Sequence, residues 1–209
     1  MTPIYHITHI DNLNDILIDN GLFSDDAIRR KNSRIVNIGY EHIKQRRLNT
    51  KIPCLKNITL GQCVPFYFTN RSPMLYAIHK NLVSDYAGGQ KNIIYLVALV
   101  ENIIEKNYLW RFTDGHAVES VTEYFDKWEY RNKIDWKIIN SKTWSNTEQD
   151  ADRKRRKQAE FLIYDFLKWD YIDKIVSIDQ KTKSQIEAIL SNFPIIKRRP
   201  IVIEPNWYY

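Results

Sequence analysis

The chain of 209 residues is long enough to bury one sizeable core and reads as a single domain, residues 1–209; 44% hydrophobic and 13% aromatic residues, against six glycines and seven prolines, exclude disorder. A net charge of +6 favours a polyanionic partner without naming one, and two cysteines, Cys54 and Cys63, in neither CxxC nor zinc spacing, exclude a disulfide framework and fit a reducing compartment. No basic stretch leads into a long apolar one at the N-terminus and no run of about 18 apolar residues occurs, which excludes Sec export and a membrane-spanning helix and places the protein in the cytoplasm.

In chain order, Pro3 to Thr8 reads as a strand, and Asp11 is placed to cap a helix over residues 12–20, with Leu13, Ile16 and Leu17 on one face and Gly21 as its stop. Residues 24–60 are poorly patterned and read as a long, partly helical loop, with a helical piece near Tyr40 to Leu48 that carries Lys44, Arg46 and Arg47. Structured loops of that length are usually functional. Val64 to Thr69 is a strand, and Ser72 followed by Pro73 predicts an N-cap and first turn for a helix over residues 74–82. Asn92 to Val100 is the longest apolar run and is expected to be the central buried strand; Tyr108 to Thr113 is another, ended by Asp114 and Gly115. Glu119 to Trp128 reads as helical and residues 132–149 as irregular. A strand from Lys174 to Ile178, a helix capped by Asp179 and a last strand from Pro200 to Glu204 complete the chain. Strands and helices alternate irregularly, without a doubly wound βα period, so the fold class is α+β around a largely antiparallel sheet.

The chemistry concentrates between Asp150 and Tyr164, where five consecutive basic residues, Arg153, Lys154, Arg155, Arg156 and Lys157, run into an apolar strand bearing Glu160. Alternation sends Gln158, Glu160, Leu162 and Tyr164 to one face and Ala159, Phe161 and Ile163 to the other. A carboxylate in an apolar wall costs several kcal/mol unless something polar meets it. Glu160 is therefore either a site acid or an edge-strand residue reaching water or an arginine; the basic run is either a phosphate track or a solvated loop. No GxGxxG and no GxxxxGK[ST] occurs, so neither a Rossmann fingerprint nor a P-loop binds phosphate here. His6 and His9 would point to opposite faces with no further ligand at metal spacing, so no metal site is expected. His9, leaving the first strand, reads as a hydrogen-bonding residue, with Asn12 capping or sharing that role; His116 lies in a turn, exposed or part of a site.

Several segments, in order, resemble the DarT toxins, DNA ADP-ribosyltransferases of bacterial toxin–antitoxin systems: Ile4 to Leu13, Asn37 to Gly39, Arg47 in its loop, Val64 to His79, Phe112 to Ala117, Ile134 to Trp136, and Arg156 to Tyr164. The resemblance spans nearly the whole chain and looks closer to the thymidine-modifying branch. It implies an ADP-ribosyltransferase fold with a split, largely antiparallel sheet flanked by helices, NAD as ADP-ribose donor, no metal, and single-stranded DNA as acceptor. Glu160 would be the catalytic glutamate and Arg47 the catalytic arginine, holding a NAD phosphate or the deprotonating base. Thr8, His9, Asn12, Gly39, Tyr67, Met74 and His116 would line the NAD pocket, although Met74 reads equally as a helix core residue. Arg153, Lys154, Arg155, Arg156 and Lys157 would follow DNA phosphates while Trp and Tyr side chains stack on bases. A DarG antitoxin with a macrodomain would be the protein partner, and no inhibitory pro-segment is expected ahead of Ile4. Transfer to RNA or protein, and a non-catalytic single-strand-binding module, are the alternatives.

Overall fold

The computed structural model describes residues 1–53 and 55–209, so Cys54 lies outside the described residues. The longest apolar run becomes strand β4 (Ile93–Leu99), with every side chain up to Ala98 buried. On one side it pairs antiparallel with β1 (Pro3–His9), on the other with β9 (Ile172–Ser177). From β1 the sheet continues through β3 (Cys63–Tyr67), β7 (Glu160–Tyr164), β5 (Trp110–Thr113) and β6 (Tyr124–Phe125), all antiparallel. Beyond β9, the strand β10 (Ile201–Ile203) is added in parallel. A separate hairpin-like pair joins β2 (Gly21–Phe23) to β8 (Phe166–Lys168). The fold is thus α+β on a mostly antiparallel sheet, as the sequence implied.

Alternation settles the two faces. Ile4, Val64, Phe66, Ile94, Leu96, Phe161 and Ile163 share one apolar cluster, while Tyr95 and Val97 pack on the other face against Leu75 and Ile78 of α4 (Pro73–His79). That helix starts where expected, with Ser72 Oγ accepting from Leu75 N at 3.2 Å and Pro73 in the first turn.

The sheet is nearly severed between β1 and β3. Those strands pair at a single position, Tyr5 opposite Tyr67, although β1 pairs with β4 along its full length. Pro65 lies in β3 and has no N–H to offer. Its carbonyl accepts instead from the His6 imidazole, Nδ1 to oxygen 2.9 Å, a side-chain bond in place of a ladder bond.

Local expectations fail where tertiary partners decide. Asp11 does not cap the first helix: His9 Nδ1 accepts from Asp11 N in a preceding 3₁₀ turn, and Asn12 is the N-cap residue of α1 (Leu13–Ile18). Asn20, with φ of 58°, turns the chain after that helix, and Gly21 already begins β2. The segment read as a long, partly helical loop holds α2 (Asp25–Arg30), which the pattern does not announce, and α3 (Glu41–Asn49), the helical piece expected near Tyr40 to Leu48. Residues Glu119 to Lys127 are not helical, and a 3₁₀ helix begins only at Trp128; Phe125 stacks on Phe112 with ring centres 5.0 Å apart, and pairing to β5 overrides helix propensity there. Helix α5 (Val100–Ile104) extends from β4, and the irregular stretch contains α6 (Trp136–Asn140). The basic run is a helical turn, α7 (Arg153–Arg156), and α8 (Gln180–Ser191) carries the expected Asp179 cap. No helix among the described residues is long and apolar enough to cross a membrane.

Phe161, fully buried on β7, stacks on Trp110 at 5.3 Å. Phe161→Ala is expected to lower unfolding free energy by about 3–5 kcal/mol, measured by urea titration; a loss below about 1 kcal/mol would mean this face is not the core.

Candidate active site

Glu160 is the first residue of β7, opposite Tyr67 of β3, and only 1% exposed. Its Oε2 accepts from Arg47 Nη1 at 2.8 Å and its Oε1 from the backbone N–H of Ala117 at 3.0 Å. Thr113 fixes the backbone behind it: the hydroxyl accepts from Glu160 N at 3.0 Å and donates to Gly115 O at 2.7 Å. Arg47 is the buried residue of α3, and it reaches the carboxylate from the last turn of that helix. Burial works against its charge, but Glu160, together with Tyr67 and Asp25, raises the guanidinium pKa above its ordinary value. Its Nη2 is buried without a partner. A buried donor left unpaired costs about 1–3 kcal/mol, which marks it as a group shaped for something other than this chain's own atoms.

The pair lies on the wall of a cavity of about 770 Å³ at the split between β1 and β3. Consecutive β1 residues Tyr5, His6, Ile7 and Thr8 all line it, which adjacent residues of a closed strand, pointing to opposite faces, would not do. Gly39, Tyr67, Met74 and His116 also line it. Tyr67 reaches Met74, hydroxyl to sulfur 3.8 Å, and its phenol pKa is raised by burial and by Glu160. Met74 both faces the cavity and packs against the α4 core. Asn12 also lines the cavity but spends its amide on the protein: Nδ2 donates to Thr8 Oγ1 and Val36 O, and Oδ1 accepts from Val36 N at 2.8 Å. It therefore holds the segment up to Gly39 over the site. His116 is held below the ordinary histidine value by burial, with Glu160 opposing and Arg47 assisting. Cys63 is buried and its thiol is pushed up to about 12, chiefly by burial.

Two sequence-based assignments need correction. His9 is not among the residues lining the cavity; its ring turns back to accept from Asp11 N at 3.2 Å and packs edge-on to Tyr86. The basic run is for the most part not free to follow phosphates. Arg155 is paired with Asp114 and Asp152, Arg156 bridges Asp135 and Asp150, Arg153 donates to Thr143 O at 2.8 Å, and Lys157 is buried; Lys154 alone of the five is exposed. A Cβ at Gly115 would overlap the Arg155 guanidinium, so any other residue there would oblige that side chain to shift. Sequence reasoning missed His6, whose bond to Pro65 spans the split, and Ala117, which acts through its backbone and leaves no side-chain signal. No group of three or more His, Cys, Asp or Glu among the described residues is arranged to hold a metal ion.

The sequence model of the family described as "ssDNA thymidine ADP-ribosyltransferase, DarT" matches residues 5–209. The chain belongs to the DarT family. A DNA ADP-ribosyl transferase of Thermus aquaticus is 37% identical over 208 residues, covering 100% of this chain and 89% of that protein. A DarT of Thermus sp. 2.9 in complex with ADP-ribosylated ssDNA aligns with a TM-score of 0.92 at 36% identity, covering 100% of this chain and 96% of that one. The same DarT in complex with NAD+ gives 0.86 at 34% identity, covering 100% and 98%. In Thermosipho africanus a DNA ADP-ribosyl transferase-DNA ADP-ribosyl glycohydrolase fusion protein is 27% identical over 206 residues, covering 99% of this chain and 49% of the fusion.

In this DarT chain the histidines at the split set an acid limit. Burial lowers the pKa of His6 and His116 below 6.5, so the neutral rings favour the folded state. As pH falls through the unfolded value near 6.5, the unfolded chain takes up protons that the folded one refuses, and stability drops. The urea midpoint is expected to fall between about pH 7 and pH 5.5, and less steeply in His116→Gln; a midpoint independent of pH in that window would show that the rings protonate freely in place.

Proposed function

We propose that this chain transfers ADP-ribose from NAD to thymidine in single-stranded DNA, with Glu160 and Arg47 as its catalytic residues. The observation that carries the reading is the buried Glu160–Arg47 pair, with one guanidinium nitrogen unspent, on the wall of a cavity in a chain of the DarT family. NAD brings its own leaving group, a cationic nicotinamide, so the protein supplies position and electrostatics. As the bond from ribose C1 to nicotinamide nitrogen breaks, its electron pair neutralises the pyridinium ring, and positive charge develops on the ribose. Glu160, held by Arg47 and Ala117 N–H on a strand that cannot shift, offsets that charge. Thymine N3 forms the new bond to C1, and its proton must leave; Glu160 is the base we assign to it. Arg47 Nη2 is then the donor left for a thymine carbonyl oxygen, on which charge builds as N3 loses its proton. Gly39, Tyr67, Met74 and His116 line the space for NAD, with Thr8 and Asn12 at the split.

N3 lies inside the Watson–Crick pair, so a duplex would have to be opened at a cost of a few kcal/mol, and a single strand is the natural acceptor. A cytoplasmic enzyme that blocks a pairing face needs a counterpart that removes the adduct. The Thermosipho fusion of transferase with glycohydrolase supports a DarG-type macrodomain antitoxin as that partner.

The test is mass spectrometry of oligonucleotides bearing one thymine, and of the matching RNA, after incubation with NAD. One ADP-ribose per DNA oligonucleotide is expected, and Glu160→Gln should lower the rate by roughly 10²–10⁴-fold; modification of RNA or protein alone would overturn the acceptor, and near-normal turnover of the variant would overturn the role of Glu160. In bacteria at matched protein level, the intact chain should abolish colony formation and Glu160→Gln should permit it. Harmless expression of active, folded chain would contradict the toxin role.

A further inference from the structure

The five-residue basic run leads directly into the strand of Glu160, and its most costly member is Lys157. That side chain is 1% exposed, and its ammonium donates to two carbonyls, Ile139 O at 2.6 Å and Ser141 O at 2.8 Å, with no carboxylate in salt-bridge range among the described residues. Those carbonyls belong to the last turn and C-cap of α6, where helix carbonyls are unpaired and negative. A buried ammonium without a counter-ion is a poor way to gain stability, because desolvation opposes it; burial, and Arg71 in the same direction, push its pKa down to about 8. What such a contact does provide is place.

The segment leaving α6 carries Trp144 and Asn146 onto the cavity wall, together with Ala151 and Asp152. Its start is held by Lys157 at Ser141 O and by Arg153 at Thr143 O, its middle by Asn146 Oδ1 accepting from Lys154 N at 2.8 Å, and its end by Arg156 at Asp150. On the other flank, Trp144 Nε1 donates to Tyr209 OH at 2.9 Å, and the Trp144 ring stands edge-on to Tyr76. Arg156 also holds Asp135, the N-cap of α6, so one guanidinium ties the start of that helix to the far end of the segment that leaves it.

We propose that Lys157 and Arg156 are positioning residues: they clamp residues 141–152 into the cavity wall that receives the acceptor strand, and these two members of the basic run thereby act on DNA through this segment instead of touching phosphates. The acceptor rests on the proposed DNA transfer; the clamp does not. Trp144 then offers a ring and Lys154 an exposed cation at the edge of the wall, the pairing of stacking surface and charge that single strands need.

The test is Lys157→Met in the full chain, followed by amide hydrogen exchange, NAD affinity and steady-state kinetics with a thymine oligonucleotide. Exchange in residues 141–152 should rise about tenfold or more while β3 and β7 keep their protection, and the oligonucleotide KM should rise about tenfold with NAD affinity unchanged. A folded variant with native exchange in 141–152 overturns the proposal, as does a loss of NAD affinity equal to the loss of transfer. Should Lys157→Met fail to fold, Asp150→Asn, which frees the segment's end from Arg156, decides by the same readouts. Faster exchange in 141–152 in a protein that modifies no DNA would support the clamp and sink the DNA reading, so the two fail separately.

Discussion

A carboxylate and a guanidinium face each other at 2.8 Å in the interior, and most of the local structure is a consequence of keeping both satisfied. An unpaired charge at that depth would cost several kcal/mol, so each oxygen of Glu160 needs a donor and the donors need fixed supports. Helix α3 delivers Arg47, the turn after β5 delivers the Ala117 N–H, and Thr113 locks the peptide from which the glutamate projects. The pair therefore links a helix, a turn and two strands that are distant in sequence. Removing one partner would leave the other a buried charge without its counter-ion.

The second dependence is between rigidity and access. Strand β4, paired on both sides and buried from Ile93 to Ala98, gives the sheet its stiff centre, while the neighbouring junction of β1 with β3 carries one paired position. A stiff centre lets a sheet tolerate a gap at that junction without losing register. Asn12 and the segment up to Gly39 close one side of the gap and the Trp144 segment another, each held by side-chain bonds to backbone atoms. Precision at the site thus comes from polar ties to irregular chain and not from secondary structure alone.

Much of the fold could be read from residue pattern, because β4, β7 and α4 carry local signals that tertiary packing reinforces: an unbroken apolar run, a short apolar stretch bearing one acid, and Ser72 before Pro73. The pattern failed at Glu119 to Trp128, where Phe125 answers to Phe112 across the sheet and not to its neighbours in sequence. For the site, Glu160 was visible as an acid in an apolar strand, and Arg47 only through family resemblance, since nothing local distinguishes it from Arg46 beside it. The basic run misled for a physical reason: its acidic partners Asp114, Asp135, Asp150 and Asp152 are scattered over 39 positions, and only folding brings them onto Arg155 and Arg156. His9 misled because a ring nitrogen can cap a turn as readily as meet a ligand.

Pro65 has a wider meaning than the single bond its carbonyl makes. In a strand, the nitrogen and carbonyl of one residue point to the same side, so acceptance from His6 of β1 means that the proline nitrogen also faces β1. That nitrogen has no hydrogen. The two strands consequently lack the ladder donor that any other residue would offer at this position. Covalent structure thus works against closing the cleft by further strand pairing, with no need of a bound molecule for that effect. An enzyme built this way meets its substrate with the site already formed, and the free energy of binding is not drained by prising a sheet open.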